Sequence, residues 1–347
     1  MTALGHTVDA SVITAALRRC GAVRDRAVQD VAIESSRDTI LSRITRLRLS
    51  FDGDPGHAPQ TLILKTGRPS GHGSGWMAGR QEVAFYRDVA TATTQRLVPR
   101  CFAAHWDQAT EDWHLLLEDL GASHFVATAW PLPPTLEQCE HIIETLARFH
   151  ACWWNDVRLG ASIGTLRDDA AVARLLQDLT RHFSSLADAL PRERRMVYER
   201  LFAAGAPLLK RSYGQRNLTI LHGDAHVWNC FLPRDGGADV RLFDWDGWRI
   251  GVAATDLAYM MAMHWYPDRR HRMERQLLDR YHATLLAEGV RSYNRQALDD
   301  DYRWAVLWQI TLPVFQAAHG IPPVIWWNNL ERIWLAFEDL GCRELLP

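Results

Sequence analysis

The chain has 347 residues, of which 47% are apolar and 23% charged, and this is the composition of an ordinary globular protein. Disordered and fibrous classes are excluded, and a length near 350 residues predicts two domains, not one core. The formal net charge of −2 gives no electrostatic footprint for broad binding to nucleic acid or to an anionic membrane. We therefore expect a small-molecule partner.

The start of the sequence has no basic segment followed by an apolar one, and no uncharged apolar stretch reaches the ~18 residues of a membrane span. The six cysteines are scattered and form no Cys-x-x-Cys pair, so reduced thiols are expected. These features predict a cytoplasmic protein and leave the oligomeric state open.

The first third of the chain is predicted to be rich in strands. Apolar spacing over residues 8–19 indicates a helix, and the turn residues 52–56 separate two alternating segments. A long helix is expected over residues 75–92. Strands are predicted at residues 40–51, 61–65, 101–106 and 113–118.

After residue 120 the pattern becomes helical, beginning with a helix at residues 133–154 that two prolines open. Further helices are predicted at residues 168–187, 191–204, 254–265, 268–288, 296–318 and 325–339. Short strands are expected at residues 219–223, 229–232 and 240–245. The fold class is therefore α+β, and we place the domain boundary between residues 1–119 and 120–347.

The densest group of polar residues lies between two short apolar runs in the second part. Residues 222–229 read His-Gly-Asp-Ala-His-Val-Trp-Asn, and residues 244–246 read Asp-Trp-Asp. One carboxylate, an amide five residues later and a carboxylate after the next hairpin is the arrangement that magnesium-dependent phosphoryl transfer uses. Asp224 would accept a hydroxyl proton, while Asn229 and Asp244 would hold Mg²⁺.

This group resembles the catalytic and metal-binding loops of the aminoglycoside phosphotransferase and choline kinase family, relatives of the protein kinases. Residues 146–154, Leu-Ala-Arg-Phe-His-Ala-Cys-Trp-Trp, are similar to its ecdysteroid-kinase-like branch. The resemblance covers residues 30–340. It implies a bilobal protein-kinase-like fold with ATP between the lobes: a nucleotide-binding N-lobe with a small antiparallel β-sheet and one major helix, and a larger, mainly helical C-lobe for catalysis and substrate.

The resemblance also assigns roles to single residues. Asp224 matches the catalytic base, and Asn229 and Asp244 match the metal ligands. Lys65 matches the strand lysine that contacts the ATP phosphates, and Glu82 matches its partner on the following helix. The chain has only two lysines among 39 basic residues, so a lysine at this strand position favours the phosphate-binding interpretation.

Four further residues match supporting positions of the family. His222 would order the catalytic loop, and Asp256 would brace it. The sequence Leu-Glu-Asp-Leu at residues 117–120 resembles the hinge that pairs with adenine, which places Glu118 and Leu120 at the nucleotide base.

The loop over the phosphates is expected near residues 34–40. It contains no glycine, unlike the loop of the protein kinases. Ser35 and Ser36 are the candidates here, because backbone N–H groups and serine hydroxyls can bind phosphate oxygens.

The acceptor is predicted to be a small molecule. Asp256 lies only 12 positions after Asp244, too close for the long activation segment on which protein kinases dock peptides. A sugar-like, carbocyclic or steroid-like alcohol, antibiotics included, suits a pocket with aromatic walls. The candidate pocket residues are His226, Trp228, Asp246 and Trp248.

Two alternatives remain open at this stage. His222, Asp224 and His226 alternate, so an extended strand would aim all three at one metal ion of a hydrolase, with Asp244 or Asp246 as a further ligand. The other alternative is a nucleotide-binding protein of the same fold without catalysis. Zinc content tests the first alternative, and turnover with any acceptor tests the second.

Overall fold

The structure is a computed structural model. It describes the chain over residues 9–39, 42–68, 79–212, 214 and 216–347. The chain divides into two compact units: Met1–Val126 with Phe231–Asp246, and Ala127–Cys230 with Gly247–Pro347. This division differs from the predicted boundary at residue 119, because the first unit continues to Val126 and includes a later segment that contains Asp244.

The first unit is built on a five-stranded antiparallel sheet. Its strands are β1 (Val28–Asp38), β2 (Ser42–Phe51), β3 (Thr61–Gly67), β4 (Cys101–Trp106) and β5 (Trp113–Glu118). The order in the sheet is β1-β2-β3-β5-β4. The four predicted strands are confirmed, and β3 extends two residues past Lys65, which pairs with Ile44 of β2 and Leu115 of β5.

One face of this sheet is covered by α1 (Ala10–Arg19), the predicted first helix. The Asp9 side chain caps its first turn by accepting hydrogen bonds from backbone N–H groups. Ile13 and Leu17 of α1 are fully buried against sheet residues such as Leu62. This apolar layer fixes the sheet that carries Lys65.

The major helix of the first unit begins at α2 (Arg80–Ala84) and continues through a π turn and a 3₁₀ turn to Ala92. Residues 75–78 of the predicted helix lie outside the described part of the chain. Gly79 precedes α2 with a φ of +84°, and a Cβ atom there would lie 2.0 Å from the Trp113 ring. Only glycine fits this position, which sets where the helix begins.

The remaining strands are short. They are β6 (His124–Val126), β7 (Thr219–Leu221), β8 (Cys230–Pro233), β9 (Arg241–Leu242) and β10 (Arg249–Gly251). β6, β8 and β9 form a second sheet of the first unit, whereas β7 and β10 pair within the second unit. The pairing of β6 with β8, which the sequence pattern did not predict, holds residues 231–246 in the first unit.

The second unit is mainly helical, as predicted. Its helices are α3 (Leu136–Cys152), α4 (Asp169–Leu186), α5 (Arg192–Leu209), α6 (Ala254–Met261), α7 (Pro267–Ala287), α8 (Arg295–Gln309), α9 (Thr311–Ala318) and α10 (Pro323–Asp339). α5 kinks at Gly205, where the predicted helix ended, and the helix predicted over 296–318 is broken at Ile310. Among the described helices, none combines the length and the apolar character that crossing a membrane requires.

Candidate active site

The first unit holds a buried lysine among carboxylates. Nζ of Lys65 lies 2.6 Å from Oε2 of Glu82 and 2.5 Å from Oδ1 of Asp244. Lys65 and Glu82 are 6% and 1% exposed, so water does not screen this pair. The lysine, the helix glutamate and the aspartate assigned to phosphate and metal binding are therefore brought together within one unit.

Two aromatic rings fix the position of Asp244 and Asp246. Trp245 stands between them in sequence, is fully buried, and stacks on Phe85 with ring centroids 3.9 Å apart. Its Nε1–H group donates to the Leu242 carbonyl. Because Trp245 is held in place, the side chains of its two sequence neighbours are also fixed in position. Asp246 accepts a hydrogen bond from the Gly79 N–H group at 2.9 Å, and Asp244 adopts a φ of +69°.

The charges in this cluster do not balance. Burial alone would lower the pKa of Lys65, but the carboxylates of Glu82, Asp244 and Asp246 raise it, so the lysine stays charged. Burial and the neighbouring carboxylates raise the pKa of Glu82, although Lys65 opposes this. Burial also raises the pKa of Asp246. Three carboxylates around one ammonium group leave an excess of negative charge.

That excess fits a divalent cation. Carboxylate oxygens of Glu82, Asp244 and Asp246 lie within 4.8 Å of one another. Oxygen donors of this kind are the ligands that Mg²⁺ prefers, and Mg²⁺ is usually held by one or two carboxylates together with substrate phosphates. The donor set of the first unit is therefore suitable for Mg²⁺ bound with a nucleotide.

The second unit holds the loop that follows β7, and Asp256 braces it from within α6. The two carboxylate oxygens of Asp256 accept hydrogen bonds from the backbone N–H groups of His222, at 2.6 Å, and Gly223, at 3.0 Å. Nε2 of His150 lies 3.2 Å from the same carboxylate. Burial alone would raise the pKa of Asp256, but the hydrogen bond with His150 and the nearby charges lower it.

The glycine of the His-Gly-Asp sequence is required by a close approach of two backbones. Gly223 has a φ of +82°, and a Cβ atom there would lie 1.9 Å from the Gly247 carbonyl oxygen. His222 is buried, and its Nδ1 accepts a hydrogen bond from the Asp224 N–H group. His222 therefore orders the turn that presents Asp224.

Two side chains donate to the Asp224 carboxylate, one to each oxygen. Oη of Tyr259 lies 2.6 Å from Oδ1, and Nδ2 of Asn229 lies 2.9 Å from Oδ2. Burial alone would raise the pKa of Asp224, but His226 and the Tyr259 hydroxyl outweigh it and lower the pKa. The carboxylate is thus fixed in position and ionised at neutral pH, as a proton acceptor must be.

The orientation of Asn229 is compatible with metal binding. Its Nδ2 group donates both to the Asp224 side chain and to the Asp224 backbone carbonyl. The amide oxygen points the other way and is the atom that a magnesium ion would use. The short 3₁₀ turn Val227–Asn229 produces this arrangement.

Tyr259 is the residue that sequence reasoning missed. It lies three residues after Asp256 on α6, and this spacing places both side chains on one face of the helix. In the sequence, a tyrosine in an apolar helix indicates a core residue. Only its short distance in space from Asp224, the predicted base, indicates a further role.

We expect Tyr259→Phe to raise the pKa of Asp224, because the variant loses a donor to the ionised form. The measurement is a carboxyl ¹³C NMR titration in metal-free buffer, with the signal assigned by its absence in Asp224→Asn. Tyr302→Phe is the matched control, since the Tyr302 hydroxyl also donates to a carboxylate, Glu274, at 2.6 Å. If the pKa of Asp224 were the same in Tyr259→Phe and in the native protein, the tyrosine would have only a packing role.

The expected phosphate loop is corrected by the structure. Ser35 and Ser36 lie within β1, which runs to Asp38, and the Ser36 hydroxyl bonds to the Thr45 hydroxyl across the β1–β2 ladder at 3.0 Å. The ion pair between Asp38 and Arg43 extends the ladder further. β1 therefore occupies most of the predicted loop, and residues 40–41 lie outside the described part of the chain.

The predicted hinge residues are engaged within the first unit. The Glu118 N–H group donates to the Arg100 carbonyl at 2.8 Å, and the Leu120 carbonyl accepts from the N–H groups of Ser123 and His124. Leu120 is buried. The contact of Glu118 and Leu120 with adenine stays a prediction.

The four candidate pocket residues occupy different surroundings. His226 and Trp228 are partly exposed. His226 lies 3.5 Å from the Asp224 carboxylate, and its ring centroid lies 5.4 Å from that of Trp228. Asp246 belongs to the carboxylate cluster of the first unit. Trp248 is 4% exposed and packs against Gly164, which favours a packing role over a place in a pocket wall.

The geometry required for the hydrolase alternative is not present. β7 ends at Leu221, so His222, Asp224 and His226 are not on an extended strand. His222 instead uses its Nδ1 to accept the Asp224 N–H group. Among the described residues, the only group of three or more His, Cys, Asp or Glu side chains close enough to share a metal ion is the carboxylate cluster of the first unit.

Comparison with solved structures defines the class of fold. A candidate aminoglycoside phosphotransferase from Ralstonia eutropha is similar over 98% of this chain and 99% of its own, with a TM-score of 0.60 and 14% identity. A choline kinase from Cryptosporidium parvum matches over 97% and 96%, with a TM-score of 0.56 and 11% identity. The GDP complex of aminoglycoside 2'-phosphotransferase-IIIa matches over 98% and 99%, with a TM-score of 0.54 and 11% identity. The fold is therefore the protein-kinase-like fold that these proteins share.

Comparison of the sequence with protein families gives a more specific assignment than the fold does. It matches the phosphotransferase enzyme family over residues 55–293, more than half of the chain, and the protein belongs to that family. A search of curated proteins finds no match. The narrower resemblance to the ecdysteroid-kinase-like branch stays a prediction.

Proposed function

We propose that the protein transfers the γ-phosphoryl group of ATP, bound with Mg²⁺, to a hydroxyl group of a small molecule. The observation that carries the proposal is the Asp224 carboxylate, which two donors fix and keep ionised. A positioned carboxylate of this kind is what a hydroxyl nucleophile requires as its proton acceptor. Membership of the phosphotransferase enzyme family supports the same reaction.

In this proposal the second unit handles the acceptor proton. Asp224 accepts the proton from the attacking hydroxyl group and orients that group. Tyr259 and Asn229 keep the carboxylate from rotating, so the geometry is set before the substrate arrives. Asp256 and His222 hold the backbone on which Asp224 is mounted.

The first unit handles the phosphates. Lys65 would donate to phosphate oxygens, and Glu82 holds the ammonium group in position. Asp244 would bind Mg²⁺, with Asp246 beside it. Asn229 of the second unit would supply the amide ligand. When bound, Mg-ATP supplies the phosphoryl group and neutralises the charge that develops on it.

The short segment between Asp244 and α6 supports a small acceptor. Asp244 and the start of α6 at Ala254 are separated by a short strand, β10, and its flanking turns. A connection this short contains no segment on which a peptide substrate could bind. One structural relative is named a choline kinase and two are named aminoglycoside phosphotransferases, and all of these names refer to small acceptors.

The direct test is calorimetric titration of Mg-ATP, with Mg-GTP in parallel, into native protein and into Asp244→Ala. We expect binding that requires Mg²⁺ in the native protein, and a loss of affinity of at least tenfold in the variant. Asp299→Ala, at a partly exposed aspartate of α8, is the control and should bind as the native protein does.

Mg²⁺-independent affinity, or equal affinity in Asp244→Ala, would contradict the metal assignment. Binding without turnover on any hydroxyl compound would favour the non-catalytic alternative.

A further inference from the structure

We propose that the acceptor is an uncharged alcohol carried on a flat ring system, and that it lies against aromatic side chains beside Asp224. This inference rests on the proposed function, since it names the substrate class of the same site. The side chains concerned, here called the aromatic strip, are Trp130, His226, Trp228, Tyr259 and His264, all in the second unit.

The strip begins at the proposed catalytic base. Tyr259 donates to one oxygen of Asp224, and Nε2 of His226 lies 3.5 Å from the other. Both rings contact His264, with centroid distances of 4.8 Å for Tyr259 and 5.5 Å for His226. The strip therefore touches the atoms that would accept the substrate proton.

From there the strip reaches solvent. Trp228 contacts His264 at a centroid distance of 5.7 Å and Trp130 at 4.3 Å. Trp130 is 49% exposed, and His226 and Trp228 are partly exposed, whereas Tyr259 and His264 are buried behind them. A continuous aromatic surface thus leads from Asp224 to the outside of the unit.

The packing of the rings favours a flat partner. Trp228 meets His226, Trp130 and His264 at interplanar angles of 62°, 65° and 68°. In this edge-to-face packing the rings support one another. The other four rings pack around His264, at centroid distances between 4.8 and 6.2 Å. The centre of the group is therefore filled by a side chain, whereas the aromatic cages that bind quaternary ammonium groups leave it open. The exposed rings of the strip therefore offer a surface on which a flat ring system can lie.

The charges near the strip disfavour a polycation. Burial lowers the pKa of His264, whose Nδ1 bonds to the Tyr259 carbonyl, so this ring is neutral at pH 7. Arg332 adds a positive charge near His264 and is held by hydrogen bonds to the Met263 carbonyl and the Asn329 side chain. The Asp224 carboxylate already accepts two hydrogen bonds. A molecule with several ammonium groups would gain little attraction here and would meet a guanidinium group.

The experiment uses the full chain with Mg-ATP and three probes: 2-(2-naphthyl)ethanol, the polycation kanamycin and the quaternary ammonium alcohol choline. ADP release reports transfer, and saturation-transfer NMR in the presence of Mg-ADP reports binding of the naphthyl ring. We expect turnover with the naphthyl alcohol and none above background with the two cations. Trp130→Ala should raise KM for the naphthyl alcohol about tenfold and leave kcat and Mg-ATP affinity within twofold.

Trp327→Ala is the matched control, because Trp327 is a 38% exposed tryptophan of the same unit whose ring neighbour is Trp326. Preference for kanamycin or choline, or equal effects of the two tryptophan variants, would overturn the inference and leave the kinase function standing. Absence of saturation transfer to the naphthyl protons would also overturn it. Failure to bind Mg-ATP would instead overturn the proposed function.

Discussion

Asp224→Asn is expected to abolish phosphoryl transfer while nucleotide binding is retained. The amide cannot accept the hydroxyl proton, and the loss of a general base typically lowers kcat by about 10²–10⁴-fold. The side chain keeps its size, so the Tyr259 donor and the turn at Gly223 are preserved. ADP release with any hydroxyl acceptor that supports native turnover measures the first effect, and calorimetry with Mg-ATP measures the second.

Asp300→Asn is a suitable control, because Asp300 is an exposed aspartate of α8 whose side chain contacts Gln296 within that helix. It should retain full activity. If Asp224→Asn kept more than a tenth of native kcat, Asp224 would not be the base. A loss of nucleotide affinity together with kcat would mean that the substitution disturbs the loop as a whole.

Lys65→Met is expected to lower both nucleotide affinity and stability. The variant leaves Glu82 buried without its cation, and breaking a buried ion pair from one side costs about 3–5 kcal/mol of unfolding free energy. Since the pKa of Glu82 is raised in the folded protein, the folded state of the variant binds more protons than the unfolded chain. Its stability should therefore fall as pH rises from 5 to 8 in metal-free buffer, more steeply than in the native protein.

Urea unfolding at several pH values measures this effect, and calorimetry with Mg-ATP measures the affinity. The chain supplies its own control, since Lys210 is the only other lysine and is exposed. Lys210→Met should match the native protein in both measurements. Equal stability of Lys65→Met and Lys210→Met would mean that the lysine does not neutralise the carboxylate cluster.

Much of the fold was predictable because its signals are local. Alternation over residues 42–51 and the turn at 52–56 predict a hairpin, and apolar spacing predicts α3 and α7, with boundaries within a few residues. The phosphate loop was mispredicted for the same reason. β1 is exposed along most of its length, so it lacks the alternation that marks a strand, and only its pairing with β2 reveals it.

The sequence alone determined which residues could perform the chemistry. Asp224 and Asn229 are five residues apart in one loop, and a spacing that short nearly fixes their relation, here a hydrogen bond of 2.9 Å. Lys65 also stood out in the sequence, because it is one of only two lysines in an arginine-rich chain and lies in a predicted strand. Residue type and local spacing therefore predicted the base and the amide ligand, and the family resemblance predicted the phosphate-binding lysine.

Only the tertiary structure decided which distant groups meet. Lys65 and Asp244 are 179 residues apart in sequence, and their contact depends on the pairing of β6 with β8, which returns residues 231–246 to the first unit. The hydroxyl of Tyr259 reaches Asp224 because α6 is anchored to the same loop through Asp256. Trp130 joins the aromatic strip through packing within the second unit. Such contacts are set by how buried surfaces fit together, and a one-dimensional pattern of apolar residues does not encode that fit.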